Sequence, residues 1–129
     1  MANQQRGVEK SAPCFESGCI NIKFRINNIE WQIVFVNPFS DDLRRSDRTL
    51  TLGVTDMPKR SVFLSNALTG ALLRKVLAHE LCHTLCFSYN IHIPIEQEEF
   101  LADWVATYGT EVIYLLDELM QTMKKAYIA

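Results

Sequence analysis

The most constraining feature of the chain is a pair of histidines, His79 and His83, set four residues apart within the apolar run 71–87. Residues four apart return to the same face of an α-helix, so both imidazoles can hold one metal ion between them. Glu80 follows His79 directly, which sets its carboxylate beside such a metal, where it can take a proton from a metal-bound water. The run therefore predicts a helix that carries a metal site and a general base.

This predicted helix begins within residues 65–69, whose polar side chains can cap it, and continues to about Tyr89. One stripe along it contains Leu72, Val76, His79, His83 and Cys86. The histidines thus belong to an apolar face that the rest of the fold is expected to cover.

A catalytic zinc usually takes three protein ligands and leaves a fourth position for water, so two histidines need a further partner. The candidates downstream are Glu96, Glu98, Glu99 and His92. Glu99 is the best of them because Asp103 follows it by four residues on the same helix face. Asp103 can then accept a hydrogen bond from the free ring nitrogen of His79 or His83, which fixes the orientation of that imidazole. We therefore predict His79, His83 and Glu99 as ligands of one Zn²⁺ ion.

The other candidates have weaker support. Glu98 shares its helix face with Ala102 and so has no second carboxylate behind it. His92 lies nine residues beyond His83 in a predicted loop, and we expect it to be exposed or on the substrate side.

We do not expect the four cysteines to form a structural zinc site. Cys82 and Cys86 lie one helical turn apart on the predicted buried helix, which favours free thiols that fill apolar space. Together with the two histidines they still could not surround a metal tetrahedrally, since all four come from two turns of one helix. Cys14 and Cys19 flank a turn but lack two further ligands at zinc-site spacing.

Composition indicates one domain with its own core, because the chain has 129 residues of which 48% are hydrophobic. Thirteen basic and fifteen acidic residues give a net charge of −2, so nucleic acid and anionic membranes are not expected partners. Residues 1–18 are polar and aperiodic, and we expect a flexible leader without a signal peptide. No later run is apolar and long enough to span a bilayer, which favours a cytoplasmic protein.

The pattern from residue 19 onward predicts an α+β domain that extends to residue 129. Alternating or β-branched stretches predict a short twisted sheet of about four strands, at 20–26, 31–36, 50–55 and 61–65. The motif helix follows, and Pro94 then opens a long C-terminal helix that supplies the third ligand. Gly109 either kinks or splits that last helix.

These motifs resemble the zincin-like metallopeptidases, in particular the gluzincin branch. The resemblance lies in His79-Glu80-Leu81-Cys82-His83 and in Glu99-Phe100-Leu101-Ala102-Asp103. The second stretch is also similar to the signature of ImmA/IrrE-type peptidases from phages and mobile elements, and the segments 53–55 and 61–65 are similar to SprT-like domains. The extended metzincin pattern is absent, because Cys86 and Tyr89 stand where it requires Gly and His.

The resemblance implies a zinc-dependent peptidase, a hydrolase in which Glu80 is the general base and the substrate is a peptide or protein. It also implies a cytoplasmic location, which is the host cytoplasm if the chain is phage-encoded. It also implies that an edge strand, which we expect at 61–65, pairs with the extended substrate. Tyr89, His92 and Tyr108 are the candidates for transition-state or substrate contacts. The alternative is a zincin-shaped binding or regulatory module that keeps a structural zinc and hydrolyses nothing.

Overall fold

The computed structural model describes residues 7–10 and 21–127, and they form an α+β fold as the sequence predicts. The elements in chain order are β1 (Gly7–Lys10), β2 (Asn21–Ile26), β3 (Ile29–Val36), a short 3₁₀ helix (Asp41–Leu43), β4 (Gly53–Asp56), β5 (Ser61–Ser65), α1 (Gly70–Ser88) and α2 (Ile95–Tyr127). Most of the predicted flexible leader lies outside the described residues, as do Cys14 and Cys19. Within that leader, β1 is a strand rather than flexible chain.

The strands form one mixed sheet in the order β1-β2-β3-β5-β4. The four predicted strands are all present, and β1 adds a fifth at one edge. β2 and β3 form an antiparallel hairpin through Asn27 and Asn28, whose positive φ angles suit the tight turns that hairpins favour. β5 pairs parallel with β3 and antiparallel with β4.

The prediction that Ser61–Ser65 is an edge strand is wrong. This segment, β5, lies between β3 and β4, and all five of its residues are buried. A strand that is buried along its whole length is typical of the middle of a sheet. The edge beside the motif helix is instead β4.

The main core lies between the sheet and α1. Ile33, Val62 and Leu64 of the sheet are buried together with Leu68, and the apolar side chains packed against them from α1 are Leu73, Val76 and Leu77. The C-terminal end of α1 is hydrogen-bonded to β3: the Trp31 indole N–H donates to Ser88 Oγ at 2.9 Å. Burial of this apolar surface fixes the face of α1 that meets the sheet.

Gly53 at the start of β4 lets α1 approach the sheet edge closely. A Cβ atom at this position would lie 2.8 Å from Val76 Cγ1 and 3.2 Å from Glu80 Cγ. Such contacts are shorter than packed carbon atoms allow. The absence of a side chain at Gly53 therefore brings the Glu80 turn of α1 directly against β4.

α2 is one continuous helix of 33 residues, so Gly109 does not split it. It packs on α1, where Ala102 is fully buried against Cys82 and Cys86. Both thiols are free, as predicted. Burial is the main reason that the pKa of Cys82 is raised to about 12, so the thiol is neutral at ordinary pH. None of the described helices is both long enough and apolar enough to cross a membrane.

Candidate metal centre

Three predicted ligand residues meet where α1 and α2 pack together. The Nε2 atoms of His79 and His83 are 3.3 Å apart. The carboxylate of Glu99 reaches between the two rings, with Oε2 3.2 Å from His79 Nε2 and Oε1 3.1 Å from His83 Nε2. Among the described residues, these three form the cluster that could hold a metal ion.

The spacing of these atoms fits a small tetrahedral cation. Ligand atoms about 2.0–2.1 Å from a tetrahedral zinc lie about 3.3 Å from one another. In the cluster the two Nε2 atoms are 3.3 Å apart, and each lies 3.1 or 3.2 Å from a different oxygen of the Glu99 carboxylate. The residues present therefore fit a zinc-sized ion between two imidazoles and one carboxylate.

The outer nitrogens of both rings face carboxylates. His79 Nδ1 lies 2.8 Å from Asp103 Oδ1, and His83 Nδ1 lies 2.5 Å from Glu98 Oε2. Carboxylates accept hydrogen bonds, so each Nδ1 is a donor and, in a neutral ring, each Nε2 presents its lone pair. Two lone pairs and the Glu99 carboxylate then face one another, an arrangement that a metal cation between them stabilises, as a proton on either Nε2 would.

Glu98 is a correction to the sequence prediction, which gave it no supporting role. Glu98 and Ala102 share one face of α2, as predicted. This face packs against α1, so Glu98 reaches His83. Since α2 runs along α1, the neighbours Glu98 and Glu99 reach the two sides of one ring, that of His83. Asp103 takes the corresponding position behind His79.

Glu80 lies beside the cluster and is held in place. Its side chain is nearly buried, with Oε2 3.9 Å from His79 Nε2. The Thr55 hydroxyl of β4 donates to Oε1 at 2.8 Å and also lies 3.2 Å from the Glu80 carbonyl oxygen. One carboxylate oxygen is therefore occupied by Thr55 while the other faces the site. Sequence reasoning missed Thr55, which is 25 residues from Glu80 and belongs to no local motif.

Two open cavities flank the cluster. One, of about 280 Å³, lies between β4 and the three ligand residues, and Val54, Thr55 and Ile95 line it. The other, of about 320 Å³, has an apolar wall that includes Leu52, Leu72 and Val76. Arg45 borders both cavities. A groove thus runs past the cluster along the free edge of β4, with a cationic side chain at its border.

No protein-family model, no curated protein and no solved structure matches this chain. The chemistry of the centre is indicated by its own donor atoms and their surroundings. Two imidazoles and a carboxylate are the donor set of several catalytic zinc sites. They suit zinc better than magnesium or calcium, which prefer oxygen ligands throughout.

Tyr89, His92 and Tyr108 line neither of the two cavities beside the cluster. Tyr89 follows the last residue of α1 and comes six residues after His83, which places it about 120° around the helix axis. His92 is exposed in the connection between the helices. Tyr108 follows Glu99 by nine residues, which places it on the opposite face of α2, where it packs against Trp104. Arg45, which the sequence did not single out, lies nearer to the groove.

Proposed function

We propose that the chain is a zinc-dependent peptidase of the zincin type, with His79, His83 and Glu99 as zinc ligands. The observation that carries this proposal is that two imidazole nitrogens and one carboxylate converge where a single small cation can bind, with the buried Glu80 carboxylate beside them. Three protein ligands leave a fourth position free, which distinguishes catalytic from structural zinc. The site is thus built for chemistry rather than for stability alone.

His79, His83 and Glu99 would hold the zinc ion, which would lower the pKa of a water molecule to near neutrality and polarise a carbonyl group. Glu80 accepts the proton of the attacking water and passes it to the leaving amine. The Thr55 hydrogen bond directs the free oxygen of Glu80 towards the site. Asp103 and Glu98 keep the imidazoles oriented, with each Nδ1 proton held and each Nε2 turned inward.

The groove supports a polypeptide as the substrate. Along its edge β4 pairs only with β5 within the described sheet, so its other side can pair with an extended peptide. Such a peptide would run past Glu80 with cavities for side chains on both sides of the cluster. An open groove favours a peptidase over a binding module whose metal site is plugged.

Metal removal tests the proposal on the intact chain. We expect the zinc-loaded protein to cleave members of a mixed peptide library, followed by mass spectrometry, and 1,10-phenanthroline to abolish cleavage. Added zinc should restore activity and raise the melting temperature by roughly 10 °C at a hundredfold excess over Kd, since binding to the folded state stabilises it. Cleavage that persists in the metal-free protein would rule out the proposed chemistry.

A Thr55→Val substitution tests how Glu80 is held. Valine keeps the shape of threonine but removes the hydroxyl that donates to Glu80 Oε1. We expect kcat to fall about tenfold or more, because a misdirected base transfers protons poorly, while zinc affinity stays within about threefold of wild type. Thr55→Ser should restore most of the activity. Activity that stays at the wild-type level in the Val variant and falls in the Ser variant would mean that the methyl group, not the hydrogen bond, is what matters.

A further inference from the structure

Within the described residues, the C-terminal part of α2 extends beyond α1, the helix that it packs against. α1 and α2 run antiparallel, as contacts between His79 and Asp103 and between Arg74 and Thr110 indicate. Continuing that register places Gly70, the first residue of α1, level with about residue 113. Residues 114–127, here called the overhang, therefore project about 20 Å past α1, at 1.5 Å per residue.

The overhang is strongly apolar although it is exposed. Its large apolar side chains are each between 45% and 68% exposed: Tyr114, Leu115, Leu116, Leu119, Met120 and Met123. Val112 and Ile113 continue this surface towards α1. Tyr114 lies seven residues before Gln121 and so faces away from the others; without it, these side chains add up to on the order of 600 Å² of exposed area per copy, which is large for a monomer. That area is close to the amount each partner contributes to a standard interface.

We propose that the overhang pairs with the overhang of a second copy of this chain, antiparallel, about a twofold axis near residue 121. Val112, Leu116, Leu119, Met123 and Ala126 follow the four-three spacing of a heptad seam. With the axis at residue 121, Leu116 faces the partner's Ala126, and Leu119 faces the partner's Met123. Leu116, Leu119, Met123 and Ala126 thus pack in closed layers, and residue 121 is also the middle of the overhang to within one residue.

The charges select the same axis. Asp117 and Glu118 precede the seam's midpoint, and Lys124 and Lys125 follow it at equal distance. Asp117 and Lys124 lie about 100° around the helix from the nearest seam residue on one flank, and Glu118 and Lys125 lie equally far on the other flank. In an antiparallel pair each acidic residue is therefore nearly level with a basic residue of the partner on the same flank, outside the apolar contact. A parallel pair in register would set like charges together, which is unfavourable.

The alternative of a membrane surface fits this segment less well. Helices that lie on anionic membranes carry a polar face rich in Lys and Arg. Here the polar face from Glu111 onward has three acidic and two basic side chains: Glu111, Asp117, Glu118, Lys124 and Lys125. The antiparallel arrangement also sets the two folded bodies at opposite ends of the paired overhangs, so they do not compete for space.

Sedimentation equilibrium on the full chain tests the pairing. We expect the mass of a dimer at about 100 µM and a dissociation constant about a hundredfold weaker in the Leu116→Glu/Leu119→Glu variant. Gln121→Glu adds a charge on the opposite face of the same helix and should leave the dimer intact. Circular dichroism establishes that each variant is folded. A wild-type monomer, or a dimer that the Leu variant leaves unchanged, overturns the proposal.

Charge reversal tests the orientation. Lys124→Glu/Lys125→Glu should weaken the dimer about threefold at low ionic strength, because acidic side chains of the two copies are then level with one another. Adding Asp117→Lys/Glu118→Lys to the same chain should restore it, since the opposite charges are paired again. Failure of this rescue contradicts the antiparallel arrangement. Co-sedimentation with anionic vesicles in place of dimerisation would identify a lipid surface as the occupant and refute the proposal.

Discussion

Glu80→Gln is expected to lose peptide cleavage by about a thousandfold while it binds zinc as wild type does. The amide keeps the size of the side chain and can still accept the Thr55 hydrogen bond, but it cannot take up a proton. Because Glu80 Oε2 lies 3.9 Å from His79 Nε2, beside the ligands rather than among them, the ligand set is unchanged. The measurement is initial cleavage rate per zinc-loaded protein, with zinc content assayed in the same sample.

The matched control is Glu96→Gln, which removes the same charge from an exposed side chain in the first turn of α2. It should cleave at close to the wild-type rate. If Glu80→Gln retained cleavage within tenfold of wild type at equal zinc content, Glu80 could not be the general base. A loss of zinc from Glu80→Gln would make the residue a ligand instead.

The second large effect is expected at Glu99, compared with its neighbour Glu98. Glu99 contacts the inner nitrogens of both histidines, so Glu99→Gln should weaken zinc binding about a thousandfold. Glu98 contacts only the outer nitrogen of His83, and Glu98→Gln should weaken binding about ten- to a hundredfold. Both variants replace one carboxylate with an amide and so remove the same charge. A difference between their zinc affinities is therefore due to the positions of the two side chains.

Competition of each variant with a fluorescent zinc chelator gives the two affinities directly. Melting curves of the metal-free proteins, which should lie close together, establish that the variants are equally well folded. The reverse order, with Glu98→Gln the more damaging, would mean that Glu98 is the ligand and that Glu99 is only a neighbour of the site.

Local spacing was sufficient to predict much of the site. The four-residue interval between His79 and His83 sets both rings on one helix face, and the interval between Glu99 and Asp103 does the same on the next helix. These intervals depend only on helix geometry. For the same reason the helices and the four main strands were predicted at nearly their observed positions.

Features set by tertiary packing were not predictable in the same way. The helical face of Glu98 is fixed by its own sequence, but its contact with His83 depends on how α2 lies along α1. The place of β5 in the middle of the sheet depends on the order of the strands, which the alternation of polar and apolar residues within each strand does not encode. Thr55 reaches Glu80 only because Gly53 lets β4 approach α1.

The proposed function requires a particular set of atoms around the metal, and zinc K-edge X-ray absorption on the zinc-loaded chain identifies them. We expect one zinc per chain with nitrogen and oxygen ligands alone, at about 2.0–2.2 Å, in a four-coordinate shell that contains two imidazoles. Sulfur at about 2.3 Å, which would make Cys82 or Cys86 a ligand, contradicts it. A chain that takes up no zinc contradicts it as well.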